Sequence, residues 1–367
     1  MKILYDYQIF SWQEYGGISR YFYELISKFD SMKDIETNTP VLLSNNHYIS
    51  DKKYIKYFNF MPNKQFRGKI RLLNLFNKPY SILKLKQQKF DLFHPTYFDP
   101  YFLNYIGDTP FVITVYDMIH EKFSDMFVST DKTTQYKRLL TQKASKIIAI
   151  SESTKKDLIE FFDTDESKIE VVYLGNSMFP KSEIQINFDM PKKYLLYVGS
   201  RWGYKNFSRF IKSVASVLNQ DQELFVVCVG GNKFTAEEMQ LFSDLHVKKQ
   251  LIQYNLDDDS LAYFYKNAEL FIFPSLYEGF GIPVLESFAC NCPLLCSNVS
   301  SLPEIAADGA CYFNPYNETS IKNAVLKVLQ DQSFRKNLII KGRERLKLFS
   351  WEETAIQTKQ IYESVLA

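Results

Sequence analysis

Short apolar runs alternate with longer amphipathic stretches along most of the chain. Residues 2–6 predict a strand, and 18–29 an amphipathic helix after it. Further strands are predicted at 111–115, 146–150 and 169–173. A helix is predicted over 152–162, with Ser151 placed to accept the first free backbone N–H groups. After Pro191 a second series begins. Residues 194–198 predict a strand, 206–218 a helix, and 224–229 a strand ending at Gly230-Gly231. Residues 270–273 predict another buried strand. Residues 283–290 predict a helix with proline in its first turn, where the missing N–H costs nothing. This alternation implies βα units and mostly parallel sheets, hence two successive α/β domains joined near 179–191. A last helix, 351–365, follows the second series; the apolar pattern allows it to pack on its own domain or on the first.

Composition narrows the class. Of the 367 residues 46% are apolar and 23% charged, which suits a globular chain and not a disordered one. No apolar run approaches the ~18–20 residues of a membrane-spanning helix. Residues 1–6 do not read as a secretory leader, because an acid interrupts the apolar stretch at once. The five cysteines, Cys228, Cys290, Cys292, Cys296 and Cys311, are odd in number and lie in the C-terminal half. That argues against a disulfide framework. Cys290, Cys292 and Cys296 could be a metal cluster, but no histidine lies near. Packed free thiols of a cytoplasmic protein are the reading adopted.

The net charge of +2 hides an uneven distribution. Residues 52–89 hold eleven Lys or Arg and no Asp or Glu, leaving 33 basic and 42 acidic side chains elsewhere. Basic residues interleaved with Phe60, Phe66, Leu72, Leu73, Leu75 and Phe76 suit an anionic membrane surface or a phosphorylated partner. They equally suit a solvated helix with an ordinary buried side. A nucleic-acid partner is not expected, since the basic stretch is confined and the remainder is acidic.

Ligands of parallel sheets bind beyond the carboxyl ends of strands, so the loops there carry the candidate chemistry. Gly16 and Gly17 follow the first strand and allow close backbone approach to a helix start. Arg201 and Lys205, after the first strand of the second domain, can converge on an anion such as a diphosphate. In the run Glu278-Gly279-Phe280-Gly281-Ile282-Pro283-Val284-Leu285-Glu286, two carboxylates flank a glycine-rich turn and a helix start. The turn suits a phosphate. The carboxylates suit the hydroxyls of a ribose and a sugar. The acids of Leu256-Asp257-Asp258-Asp259-Ser260 resemble a metal-binding Asp-x-Asp pair, but they precede a predicted helix and read as its N-cap.

The run from Pro274 to Glu286 resembles the E-x7-E signature of retaining glycosyltransferases of family 4. The resemblance extends through Ser301-Leu302-Pro303-Glu304-Ile305, Tyr197-Val198-Gly199-Ser200-Arg201, Gly16-Gly17-Ile18-Ser19-Arg20 and Phe349-Ser350-Trp351-Glu352. It covers nearly the whole chain outside roughly 45–90. It implies the GT-B fold: an α/β architecture of two Rossmann-like domains facing an interdomain cleft, with the C-terminal helix crossing back to the first. The boundaries implied are 1–185 on the acceptor side, 186–348 for the nucleotide sugar, and 349–367 for the returning helix. It implies that Arg201 and Lys205 hold the donor diphosphate, Glu286 the ribose and Glu278 the transferred sugar. Ser200, Gly230, Gly231, Gly279, Phe280, Gly281, Ile282, Pro283, Val284 and Leu285 would line the donor. Gly16, Gly17 and Asp117 would face it from the acceptor side; His120, three residues on from Asp117, is a further candidate there or an ordinary loop histidine.

The activity implied is transfer of a hexosyl group, mannose-type favoured, from a GDP- or UDP-sugar to a glycan or lipid-linked glycan in surface polysaccharide synthesis. No cofactor or metal is expected. The location expected is cytoplasmic, with the inner face of the membrane as an option through residues 52–89. There are two departures. Tyr116 stands where many relatives have a histidine before Asp117, and Asn291 where they have a glycine; asparagine tolerates the left-handed backbone such a turn needs. A nucleotide-sugar epimerase of the same fold and a non-catalytic glycan- or nucleotide-sugar-binding protein stay open as alternatives.

Overall fold

The computed structural model describes residues 1–62, 64, 66–180 and 190–367; most of the expected linker, 181–189, lies outside the described residues. Two compact units result, Met1–Gly175 with Ser350–Ala367, and Asn176–Phe349.

The first unit opens with β1 (Lys2–Tyr5), α1 (Gln8–Trp12) and α2 (Gly17–Asp30). β2 (Glu36–Asn38) pairs parallel with β1, and the short β3 (Leu43–Ser44) pairs parallel with β4 (Phe58–Asn59). α3 (Lys69–Lys86) leads to β5 (Leu92–His94), on the other side of β1. β6 (Val112–Val115) is followed by α4 (Ile119–Lys122), α5 (Thr133–Lys143), β7 (Lys146–Ala149), α6 (Glu152–Phe162) and β8 (Ile169–Val171). The orders are β2-β1-β5 and β6-β7-β8, all parallel, and a bridge from Phe93 to Phe111 joins the two sheets. The strands read as apolar runs because both faces are covered: all four residues of β6 are buried. The Ser151 side chain accepts the Thr154 N–H at the start of α6, as its sequence predicts.

The second unit alternates strictly. β9 (Lys193–Val198), α7 (Phe207–Gln220), β10 (Leu224–Val229), α8 (Ala236–Asp244), β11 (Leu251–Tyr254) and α9 (Asp258–Asn267) form its first half. β12 (Leu270–Phe273), α10 (Ile282–Ala289), β13 (Leu294–Ser297), α11 (Leu302–Ala306), β14 (Ala310–Phe313), α12 (Glu318–Gln330) and α13 (Gln332–Leu346) form its second. The parallel order is β11-β10-β9-β12-β13-β14. β9 is therefore central, and successive strands are added first on one side and then on the other. This is the Rossmann order, and it opens a crevice where the order reverses, beyond the carboxyl ends of β9 and β12. The α7 side of the sheet buries Phe210, Ile211, Val214 and Leu218 against Leu195, Val226 and Ile272.

The Asp257 side chain accepts the Ser260 N–H and caps α9, as expected of that acidic run. All five cysteines are buried free thiols. Burial raises the pKa of each thiol, that of Cys290 to about 12, and keeps them neutral. Asn291, just after α10, has φ 57°, the left-handed conformation its residue type allows.

The last helix, α14 (Trp351–Leu366), belongs to the first unit. Trp351, Ala355, Ile361 and Tyr362 are buried, and Thr354 Oγ1 donates to the Tyr173 carbonyl at 2.7 Å. The Tyr362 hydroxyl lies 3.0 Å from that of Tyr5 and 2.6 Å from His94 Nδ1, which joins the helix to β1 and β5.

Candidate functional site

The strand order explains which loops meet in the second unit. The loop after β9 carries Ser200, Arg201 and Lys205; the loop after β12 carries Glu278. They are distant in sequence but lie on the two sides of the reversal point. The Leu276 N–H donates to the Tyr204 carbonyl at 2.7 Å, and Asn206 Nδ2 donates to the Pro274 carbonyl at 3.0 Å. So fixed, Lys205 Nζ donates to Glu278 Oε1 at 2.6 Å, with side-chain exposures of 18% and 12%. The pair is held from behind: the Glu278 N–H donates to Ser300 Oγ at 3.0 Å, and Ser301 Oγ donates to the carbonyls of Glu278 and Phe280, both at 2.9 Å.

Gly279, Phe280 and Gly281 form the turn into α10. Gly281 has φ 104°, and a Cβ there would lie 2.9 Å from Leu302 Cδ2, so only glycine fits. Ile282 and Pro283 open the helix, Val284 and Leu285 are fully buried under it, and Glu286 follows one turn in. Glu286 is 7% exposed, and its Oε2 accepts a hydrogen bond from the Tyr265 hydroxyl at 3.1 Å. Burial is the main reason the Tyr265 hydroxyl ionises well above its ordinary value; the neighbouring Glu286 adds to it. Tyr265 stays a neutral donor that holds this carboxylate near the positive end of α10.

Arg201 is placed differently. Its Nε donates to Glu238 Oε1 at 2.7 Å and its Nη2 to Glu238 Oε2 at 3.3 Å. Nη1 donates to the Gly230 carbonyl at 3.3 Å, and Nη2 to those of Asn232 and Lys233 at 2.6 and 3.2 Å. The guanidinium packs over the Phe234 ring, and the side chain is 5% exposed. The Gly230-Gly231 turn is shaped around it: a Cβ on Gly231 would lie 2.8 Å from Arg201 Nη1, and both glycines have positive φ. Ser200 joins this arrangement through its carbonyl, which accepts the Tyr197 hydroxyl at 2.6 Å. The structure thus brings Lys205 to Glu278 and Arg201 to the turn after β10.

In the first unit, Gly16 and Gly17 start α2, where Gln13 Oε1 accepts the Ser19 N–H at 3.1 Å. Asp117 follows β6, and its Oδ1 accepts the Ile119 N–H at 3.0 Å. His120 Nε2 lies 3.4 Å from Asp131 Oδ2, and its ring stacks on Phe127 with centroids 3.9 Å apart. Lys137, fully buried, donates to the Asp117 carbonyl at 2.9 Å and to Glu121 Oε2 at 2.8 Å. A cavity of about 410 Å³ lies elsewhere in this unit, lined by Trp12, Gln13, Glu14, Asn46, Ile70 and Arg71 among others.

Three residues that shape the site escape a sequence reading, Glu238, Tyr265 and Ser300; Ser301 enters it only as part of a family-like run, without a role. Glu238 carries a signal, because Thr235 and Glu238 have capping-box spacing. That box forms, and the same carboxylate also takes Arg201. Tyr265 reads only as an apolar helix position.

Residues 15–176 match the protein family described as Glycosyltransferase Family 4, and residues 178–345 that described as Glycosyl transferases group 1. The chain is 29% identical over 231 residues to O-antigen chain mannosyltransferase B of Escherichia coli, a match that covers 60% of each protein. It thus spans about three fifths of that relative's length. Among solved structures, sucrose-phosphate synthase from Thermosynechococcus elongatus superposes with a TM-score of 0.77 at 17% identity, over 99% of this chain and 98% of that one. HepE of Anabaena, solved with UDP and glucose, superposes with a TM-score of 0.75 at 16% identity, over 99% of this chain and all of that one.

Proposed function

The chain belongs to the family-4 glycosyltransferases and has their GT-B fold, and from that premise we propose that it transfers a hexosyl group, mannose-type, from a nucleoside-diphosphate sugar to a hydroxyl of a glycan or lipid-linked glycan, with retention of anomeric configuration. The observation that carries this reading is the Lys205–Glu278 pair at the reversal point of the second sheet, beside the α10 start that holds Glu286. A cation, a sugar-binding carboxylate and a helix N-terminus are the groups an activated sugar diphosphate requires.

In this reading Lys205 is shared between Glu278 and the diphosphate. As the glycosyl–phosphate bond breaks, negative charge grows on the leaving oxygens. Lys205 and the α10 N-terminus then stabilise it more in the transition state than in the ground state. Glu278, fixed by Lys205, accepts hydrogen bonds from hydroxyls of the transferred sugar, and Glu286, oriented by Tyr265, accepts those of the ribose. The leaving phosphate takes the proton of the attacking acceptor hydroxyl on the same face. Arg201 acts on the donor once its guanidinium leaves Glu238; until then it shapes the turn along which the nucleotide lies. Gly16, Gly17, Asp117 and His120 serve the acceptor side.

The relative's name favours mannose, and the HepE complex shows that a protein of this fold holds UDP and glucose. The test is turnover of GDP-mannose and UDP-glucose with lipid-extract acceptors, reading nucleoside diphosphate release and the anomeric configuration of the product. Transfer with retention, persisting in excess EDTA, is expected. An inverted product, donor interconversion without acceptor, or complete loss in EDTA restored by Mg²⁺ would each overturn part of the reading.

A further inference from the structure

The polarity of α3 is reversed relative to an ordinary surface helix. Its buried stripe is Lys69, Leu73, Asn77, Ser81 and Leu85, in which three of five side chains are polar. Those polar groups attach the helix. Asn77 Oδ1 accepts the N–H groups of Leu42 and Leu43 at 2.9 and 2.8 Å, and Asn77 Nδ2 donates to the Leu43 carbonyl and to Ser11 Oγ, both at 2.7 Å. Ser81 Oγ pairs with the Tyr101 hydroxyl at 2.7 Å. Four other large apolar side chains point the other way: Leu72 is 40% exposed, Leu75 65%, Phe76 47% and Leu83 53%. These four positions, with the exposed Pro79, recur at helical spacing and share one face. Apolar side chains gathered on one exposed helix face are a feature of interaction surfaces, unlike isolated exposed ones.

Charge identifies the partner. Of the eleven basic residues between 52 and 89, only Lys69, with Glu14, and Lys78, with Asp99, pair with a carboxylate among the described residues. Arg67 and Arg71 stand unneutralised at the N-terminal end of the apolar face. An apolar helix face edged by uncompensated cations is the pattern of a segment lying in an anionic lipid interface. We propose that the outward face of α3 docks on an anionic lipid bilayer, with Leu72, Leu75, Phe76 and Leu83 entering the interface and Arg67 and Arg71 meeting lipid phosphates.

The test is flotation of the full chain at low salt with vesicles of phosphatidylcholine alone and of phosphatidylcholine with phosphatidylglycerol. The protein is expected to float with the anionic vesicles only and to be released by high salt. Leu75→Gln with Phe76→Gln, and separately Arg67→Gln with Arg71→Gln, should each lower partitioning more than ~10-fold. Leu83→Gln serves if either pair fails to fold by circular dichroism. Absence of flotation, equal flotation with neutral vesicles, or undiminished binding of the variants would overturn the proposal. So would sedimentation of a lipid-free dimer that Leu75→Gln with Phe76→Gln dissociates, because the face would then belong to a second copy of the chain. Donor turnover without vesicles does not depend on this surface, so its failure leaves the transferase reading standing.

Discussion

Replacing Lys205 with alanine separates two roles of one side chain. The Nζ–Oε1 distance is 2.6 Å and both side chains are more than four-fifths buried. At an effective dielectric of about 20 the gross attraction at this separation is about 6 kcal/mol. Desolvation cancels most of it. The part lost when one partner is removed is about 2 kcal/mol, below the figure for a fully buried pair because Glu278 regains some water. The second loss is catalytic. A well-aimed charge stabiliser of a departing anion contributes ~10²–10³ in rate. A double-mutant cycle with Glu278→Gln and Lys205→Met divides the two. Removing both charges should restore stability to within about 1 kcal/mol of the unaltered protein, since no buried charge is left unpaired. Turnover should stay depressed. Urea unfolding reads the first quantity and nucleoside diphosphate release the second. Lys205→Ala turnover within about threefold of the unaltered protein, well short of the loss expected, would exclude Lys205 from stabilising the departing diphosphate; so would a double variant that recovers both quantities.

Other outcomes follow from the same contacts. Glu238→Gln leaves the Arg201 guanidinium among carbonyls without a countercharge and should cost about 2 kcal/mol by urea unfolding; unchanged stability would show that the carbonyls suffice. Tyr265→Phe removes the hydroxyl that orients Glu286 and should weaken nucleoside diphosphate affinity about tenfold by calorimetry, the weight of a hydrogen bond to a charged group. Unaltered affinity would detach Glu286 from the nucleotide. Burial lowers His94 to about 3, below the ordinary 6.5, so the unfolded chain binds its proton first. Its share of stability is therefore complete above pH ~6.5 and is lost as pH falls toward 3. Between pH 7 and 5 it should cost about 2 kcal/mol. His94→Gln should remove that part of the slope in urea titrations at the two pH values.

Seven of the parallel strands were legible because burial on both faces writes apolar runs into the sequence: LFVVCV and LFIF match β10 and β12 residue for residue, whereas β5, β11, β13 and β14 were not predicted. β2, with the sequence ETN, and the two-residue β3 and β4 leave no such trace. The site was legible as loops after strands, and the meeting of Lys205 with Glu278 follows once β9 and β12 are neighbours. The posture of Arg201 was not, because Glu238 lies 37 residues away on a helix whose capping signal already accounted for it. The composition of 52–89 suggested two faces for α3 but not which faced inward. Asn77 decides that, since its amide serves the backbone of residues 42 and 43.

Transfer as proposed requires a diphosphate to meet Lys205 while Glu286 holds the ribose. A crystal structure of the full chain with GDP or UDP tests this directly. The β-phosphate is expected within hydrogen-bonding distance of Lys205 Nζ, with the ribose hydroxyls on Glu286. A nucleotide bound elsewhere, or in this crevice with both side chains turned away from it, would contradict the account.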